Sequence, residues 1–154
     1  MKRAFVLVTA QLLLLAALVL IPHDSLWPVG PLALVIVIVL VLAGAALAIL
    51  GVVGLGSALT ASPIPRENAG LVTDGIYGLV RNPIYSGLLV GGLGLVVFGA
   101  SLWHILVWVA LALLLAGKAR WEERMLVAKH PEFDHYAARV GRFLPWTGRL
   151  RPRR

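Results

Sequence analysis

The residues able to do chemistry in this chain gather in two segments, 66–87 and 118–130. In the first, Asn82-Pro83 joins a side chain suited to a helix N-cap to a proline at the first helical position, so a helix is expected to start there. The unpaired N–H groups and positive dipole end of such a helix can hold a carboxylate or another anion, although any well-capped helix offers them too. In the second, Glu122 and Glu123 stand side by side in a helical pattern. Trp121, Met125 and Ala128 share one face of it, and Lys118 and Glu122 form an i, i+4 pair on another. A helix just beneath a membrane, with a snorkelling basic face, would account for the lysines and arginines. Anionic lipid repels adjacent glutamates, so a cationic ligand better explains those. Residues 131–140 read as a further short helix whose stripe of Phe133, Tyr136, Ala137 and Val140 lies on a membrane or against the first segment. His130 and His135 lack zinc-ligand spacing, and no metal is expected.

The elements that position these segments do not belong to a soluble domain. The chain has 154 residues, of which 60% are hydrophobic and 14% charged, against roughly 25% charged residues in a soluble domain. Its net charge of +7 admits nucleic acid or anionic lipid as a partner. Its lack of cysteine excludes a disulfide framework, thiolate metal ligands and cysteine nucleophiles. Four apolar stretches, about 4–21, 32–59, 84–100 and 102–117, carry no Asp, Glu, Lys or Arg in their interiors. A helix needs about 20 apolar residues to cross a bilayer. The second stretch is therefore long enough to tilt. The last two, separated by little more than Ser101, form a tight hairpin in thinned lipid or beside a water-accessible cavity.

The expected fold is an all-α integral membrane protein, one domain over residues 1–154, with four transmembrane helices, a C-terminal helical hairpin and cytoplasmic amphipathic helices. Lys2 and Arg3 ahead of an apolar run also fit a signal peptide. No A-x-A site precedes Pro22 and three further spans follow, so the first helix is expected to be retained. Arg66 and Arg81 lie between spans two and three, ten basic residues follow span four, and the loops 23–31 and 100–101 hold none. All fourteen then fall on one side, which the positive-inside rule makes cytoplasmic, with both termini inside and membrane lipids rather than nucleic acid as partners.

Gly44 and Ala48 in span two, and Gly87 and Gly91 in span three, have the small-xxx-small spacing that lets helix backbones approach. Gly92-Leu93-Gly94 leaves a functional role open for span three as well. A proton-coupled transporter normally needs an ionisable residue within the membrane, and His104 near the outer end of span four is the sole candidate.

At the two polar segments the sequence resembles the isoprenylcysteine carboxyl methyltransferase family, which is related to the phospholipid N-methyltransferases. Those enzymes share a loop L-V-x-x-G-x-Y-x-x-x-R-H-P-x-Y-x-G ahead of a transmembrane hairpin, then E-E-x-x-L, then Y-x-x-R-V-x-R-F-x-P. Here Leu71-Val72-Thr73-Asp74-Gly75-Ile76-Tyr77 and Arg81-Asn82-Pro83-Ile84-Tyr85-Ser86-Gly87 match the loop. Glu122-Glu123-Arg124-Met125-Leu126 match the acidic helix, and Tyr136 to Pro145 the ending, so the resemblance covers about residues 66–146.

The resemblance implies an S-adenosylmethionine site at the cytoplasmic membrane face. By position Tyr77, Arg81, Asn82, Pro83 and Tyr85 would line it, Gly92 and Gly94 would match a G-x-G cofactor motif, and Glu122 and Glu123 would bind the cofactor's polar groups. The family usually has His where this chain has Asn82. Asn donates and accepts hydrogen bonds but takes no proton near neutral pH, so a general base at this position is not expected. The family's acceptor, a prenylated cysteine carboxylate, is already ionised at pH 7 and needs none; Arg81 or Arg124 would orient it. Two other readings stay open, phosphatidylethanolamine N-methylation and a non-catalytic membrane scaffold.

Overall fold

A computed structural model of the chain describes residues 2–56 and 70–150. Among them the chain is helical, with α1 (Lys2–Leu20), α2 (Pro31–Leu55), α3 (Pro83–Gly99), α4 (Leu102–Lys129), α5 (Phe133–Arg139) and a 3-10 turn at Gly75–Gly78. Helices α1, α2 and α4 are long and apolar enough to cross a membrane, and α3 is a shorter apolar helix. Residues 57–59 of the expected second span, 66–69 of the first polar segment and 151–154 of the basic tail lie outside the described residues.

Helix α3 starts where Asn82-Pro83 places it, but the Asn82 side chain makes no capping bond. The hairpin between α3 and α4 is as tight as its sequence requires. Ala100 turns the chain in the left-handed region (φ 43°) and Ser101 caps α4, its hydroxyl accepting from the Trp103 N–H at 3.2 Å. The loop between α1 and α2 closes over this tip. Asp24 and Leu26 N–H groups donate to the Gly99 and Ala100 carbonyls, and the Trp27 indole donates to the Val97 carbonyl at 3.0 Å. Those bonds satisfy carbonyls that the end of α3 leaves without helical partners.

One face of α2 is a stripe of small residues, and α3 lies directly on it. A Cβ on Gly44 would meet the Gly91 nitrogen at 2.5 Å and the Gly87 carbonyl oxygen at 2.6 Å; one on Gly87 would meet the Ala48 nitrogen at 2.7 Å. Gly51, one turn further along, faces Pro83 and Ile84, and Gly54 faces the Tyr77 ring. The small-xxx-small residues of both helices therefore face each other. On the other side of α3, Leu18 of α1, Val96 of α3 and Leu111 and Leu115 of α4 form a buried cluster. Other large side chains of α2, among them Leu34, Val35, Ile38, Val39, Leu42 and Ile49, are exposed.

Helix α4 runs unbroken through Gly117 for 28 residues, about 42 Å, longer than the roughly 30 Å of a hydrocarbon core. Its last turns carry Glu122 and Glu123 beyond the apolar part, at the end where α3 begins. Gly44→Val should force α2 off α3 and cost about 1–3 kcal/mol, read as a lowered unfolding midpoint in detergent. Gly117→Ala, whose Cβ would meet nothing within 4 Å, should leave the midpoint unchanged or raise it, in line with the roughly 0.5–1 kcal/mol by which alanine outranks glycine in a helix.

Candidate active site

The first polar segment and the C-terminal ending meet side by side. Gly75 takes a positive φ of 55°, which opens the 3-10 turn and swings Tyr77 inward. The Tyr77 hydroxyl donates to the Gly51 carbonyl of α2 at 3.1 Å, and its own carbonyl accepts from the Tyr136 hydroxyl at 2.6 Å. Burial pushes both phenols well above the ordinary tyrosine range, so they stay protonated and donating. Beyond Tyr77 the chain runs parallel to the segment after α5. Val80 bridges Gly141, Arg81 and Asn82 N–H groups donate to the Gly141 and Arg142 carbonyls, and the Ser86 hydroxyl donates to the Phe143 carbonyl at 2.7 Å. Helix α5 rests against the loop rather than out on a membrane surface: Phe133, Tyr136, Ala137 and Val140 are buried with Leu71, Leu126 and Val127 packed on them.

At the centre two guanidinium groups close on one carboxylate. Arg81 Nε donates to Glu123 Oε1 at 3.0 Å, while Arg142 Nε and Nη2 reach both oxygens, the shortest at 2.7 Å. The side chains are 2% (Arg81), 7% (Glu123) and 15% (Arg142) exposed. Arg81 spends its remaining donors on the carbonyls of Ala137, Val140 and Gly148; the first two lie at the end of α5 beyond the reach of its helical ladder, and that of Ala137 also accepts from the Leu150 N–H. A buried carboxylate is tolerable when paired and fully hydrogen-bonded, and Glu123 is both.

Glu122 turns the other way. Its Oε1 accepts from the Tyr85 hydroxyl at 2.7 Å, and Oε2 has no hydrogen-bond partner among the described residues. Lys118, one turn earlier, is buried at 5% exposure rather than snorkelling outward. Its Nζ lies 5.0 Å from the centre of the Tyr85 ring and donates to Gln11 Oε1 of α1 at 2.8 Å. The expected Lys118–Glu122 surface pair is therefore an interior cluster that draws in α1 and α3.

Of the residues expected to bind cofactor, Tyr77, Asn82, Pro83, Tyr85, Glu122 and Glu123 come together at this end of the bundle. Asn82 is half-buried, and its Nδ2 reaches the Arg142 carbonyl at 3.4 Å. Gly92 and Gly94 lie about 13 Å or more along α3 from Pro83. A Cβ on Gly92 would meet Trp108 at 3.0 Å, and one on Gly94 would meet Val41 at the same distance. Both glycines are thus engaged in helix packing. Of the residues expected to handle the acceptor, Arg81 has its donors committed to Glu123 and backbone, and Arg124 is exposed. The sequence reasoning did not single out Arg142 or Gln11. Arg142 stands inside the quoted ending, next to Phe143; the signal for Gln11 is that it is the one amide within the first apolar stretch.

Glu123→Ala should remove the clamp and leave two buried guanidiniums unpaired, at a cost of about 3–5 kcal/mol. Limited proteolysis should then cut between α4 and Leu150, whereas an unchanged cleavage pattern would mean the clamp does not hold the ending in place.

The pattern of the phospholipid methyltransferase family matches residues 32–132. The chain is also similar to the cobalt-zinc-cadmium resistance protein CzcN of Cupriavidus metallidurans, at 42% identity over 81 residues, 52% of this chain and 38% of that protein. It is similar to the nickel-cobalt-cadmium resistance protein NccN of Alcaligenes xylosoxydans xylosoxydans, at 39% identity over 82 residues, again 52% of this chain and 38% of the relative. In both cases the match spans well under half of the relative's length. No solved structure matches the chain. The family match takes in α2, α3, α4 and the cluster between them, and the chain belongs to the phospholipid methyltransferase family.

Proposed function

We propose that the chain is a four-span, S-adenosylmethionine-dependent membrane methyltransferase, both termini cytoplasmic, that methylates a carboxylate on a lipidated or hydrophobic substrate. The observation that carries this is the unequal use of the two glutamates. Glu123 is saturated by two arginines, while Glu122 keeps an oxygen without a partner among the described residues, beside Tyr85 and the start of α3. The residues fit the cofactor. Glu122 suits a cationic amino or sulfonium group, and the first N–H groups of α3, which the Asn82 side chain does not cap, suit a carboxylate. Tyr77, Asn82, Pro83 and Tyr85 would complete the wall.

When bound, S-adenosylmethionine supplies a methyl group on a cationic sulfur. Everything else falls to the chain. The apolar faces of the helices hold the lipid part of the acceptor and exclude water, which strengthens the attraction between an anionic oxygen and a cationic sulfur. Asn82 takes up no proton near pH 7, and an ionised carboxylate acceptor has none to give up. Tyr85 orients Glu122 through its hydroxyl, and the clamp keeps α4 and the loop in register, so positioning supplies most of the rate.

The family match favours one second reading, N-methylation of a phospholipid amine. That amine must lose a proton, and Glu122 is the carboxylate there that no arginine neutralises.

Calorimetry of the full chain in detergent should detect S-adenosylmethionine binding, and Glu122→Gln should weaken it about tenfold, the range of one charge-assisted contact. No binding by the wild type would rule out both catalytic readings. Given binding, transfer of labelled methyl to a farnesylcysteine analogue supports the carboxylate acceptor, and transfer to phosphatidylethanolamine alone supports the second reading.

A further inference from the structure

Among the described residues, Lys118 is the buried charged side chain that this function leaves without a task. It is the seventeenth residue of α4, about 24 Å from that helix's start. Long side chains on a helix lean toward its N-terminus, and α4 starts at the far end of the bundle. Lys118 therefore leans away from the end that carries Arg81 and Arg142. Its ammonium meets Gln11 about midway along α1. A snorkelling lysine would point the opposite way, toward water.

The two side chains it touches carry no negative charge, although Glu122, one turn along α4, attracts it. Gln11 offers a carbonyl dipole and Tyr85 a ring face. Lys118 makes none of the ion pairs found among the described residues. Among the described residues, the acids facing Arg81, Arg142 and Lys118 are Glu122 and Glu123. Glu123 is consumed by the two arginines, and Glu122 is the residue assigned to the cofactor's cationic end. A cationic cofactor thus adds to a positive excess in a region shielded from water. An ionisable group placed so deep between apolar helices marks a ligand site, and one anion would balance this one.

We propose that Lys118 binds the anionic group of the methyl acceptor, a carboxylate or a phosphate on a lipid-like molecule, and that Gln11 holds the ammonium until that anion takes its place. The proposal rests on the methyltransferase function above and deepens it. It assigns acceptor recognition to a residue outside the loop and the paired acids, at a point where neither Arg81 nor Arg124 is available.

The test uses the full chain in detergent and measures binding, which needs no turnover. N-acetyl-S-farnesylcysteine is the carboxylate probe, its methyl ester the neutral control, and lysophosphatidic acid the phosphate probe. The wild type should bind one or both anionic probes more tightly than the ester, and the tighter of the two identifies the anion. Lys118→Met should weaken that probe at least about tenfold, leaving ester binding and S-adenosylmethionine affinity within about twofold, and Lys118→Arg should restore it. Gln11→Leu should leave anion binding equal or tighter, since it removes only a competitor for the ammonium. A wild type that binds ester and acids alike would overturn the proposal, as would a Gln11→Leu loss equal to that of Lys118→Met. The wild-type comparison and Gln11→Leu carry the test even if Lys118→Met does not fold. Absence of S-adenosylmethionine binding with the anion preference intact would refute the proposed function and leave this site standing.

Discussion

Two arginines distant in sequence share one buried carboxylate, and the rest of this end of the molecule depends on that contact. Arg81 precedes α3, Glu123 sits late in α4 and Arg142 follows α5. Each alone would bury an ion at a cost of several kcal/mol. Together they satisfy both carboxylate oxygens and tie three segments beside the small apolar cluster of Phe133, Tyr136, Ala137 and Val140. Helix geometry then sets the role of the neighbouring acid. Adjacent residues on a helix are about 100° apart, so with Glu123 fixed toward the ending, Glu122 faces Tyr85 and the interior. The glutamates are adjacent in sequence and opposite in use.

The second constraint is the distance between α2 and α3. Backbones touching at Gly44 and Gly87 leave no freedom in height or rotation between these helices, so the start of α3 is held level with Gly51. That level is also where the Tyr77 hydroxyl finds a carbonyl. The 3-10 turn, the N-terminus of α3 and the clamp are thus referenced to one surface. The opposite end is organised differently, by backbone hydrogen bonds from the α1–α2 loop to the tip of the α3–α4 hairpin, and it holds none of the lysines or arginines described.

Much of this was legible in the sequence because it is written in local patterns. Apolar runs located the starts of the four apolar helices within a few residues, though α4 runs on to Lys129, twelve residues past its apolar stretch; Asn82-Pro83 marked the start of α3, and the glycine spacing named the residues at which α2 and α3 meet. The stripe of Phe133, Tyr136, Ala137 and Val140 gave the buried face of α5. What was not legible depended on rotation and reach. Nothing local tells which of two adjacent glutamates will meet an arginine twenty or forty residues away, nor that Lys118 leans into the bundle instead of out of it. The choice of Gln11 as its partner is set by the packing of α1 against α4, which no pattern within α1 encodes. The Gly92-Leu93-Gly94 run shows the limit from the other side, since its spacing suits a cofactor motif while its surroundings are Trp108, Leu18 and Val41.

In the proposed function, the second carboxylate oxygen of Glu122, with Tyr85 and the first turn of α3, takes up S-adenosylmethionine beside a clamp that is already closed. Hydrogen–deuterium exchange of the full chain in lipid nanodiscs, with and without S-adenosylmethionine, tests it most directly. Added protection is expected in residues 76–87 and 119–126, with residues 137–143 equally protected in both states and the 22–30 loop unaffected. Protection confined to the 22–30 loop, or none at all at saturating S-adenosylmethionine, would contradict it.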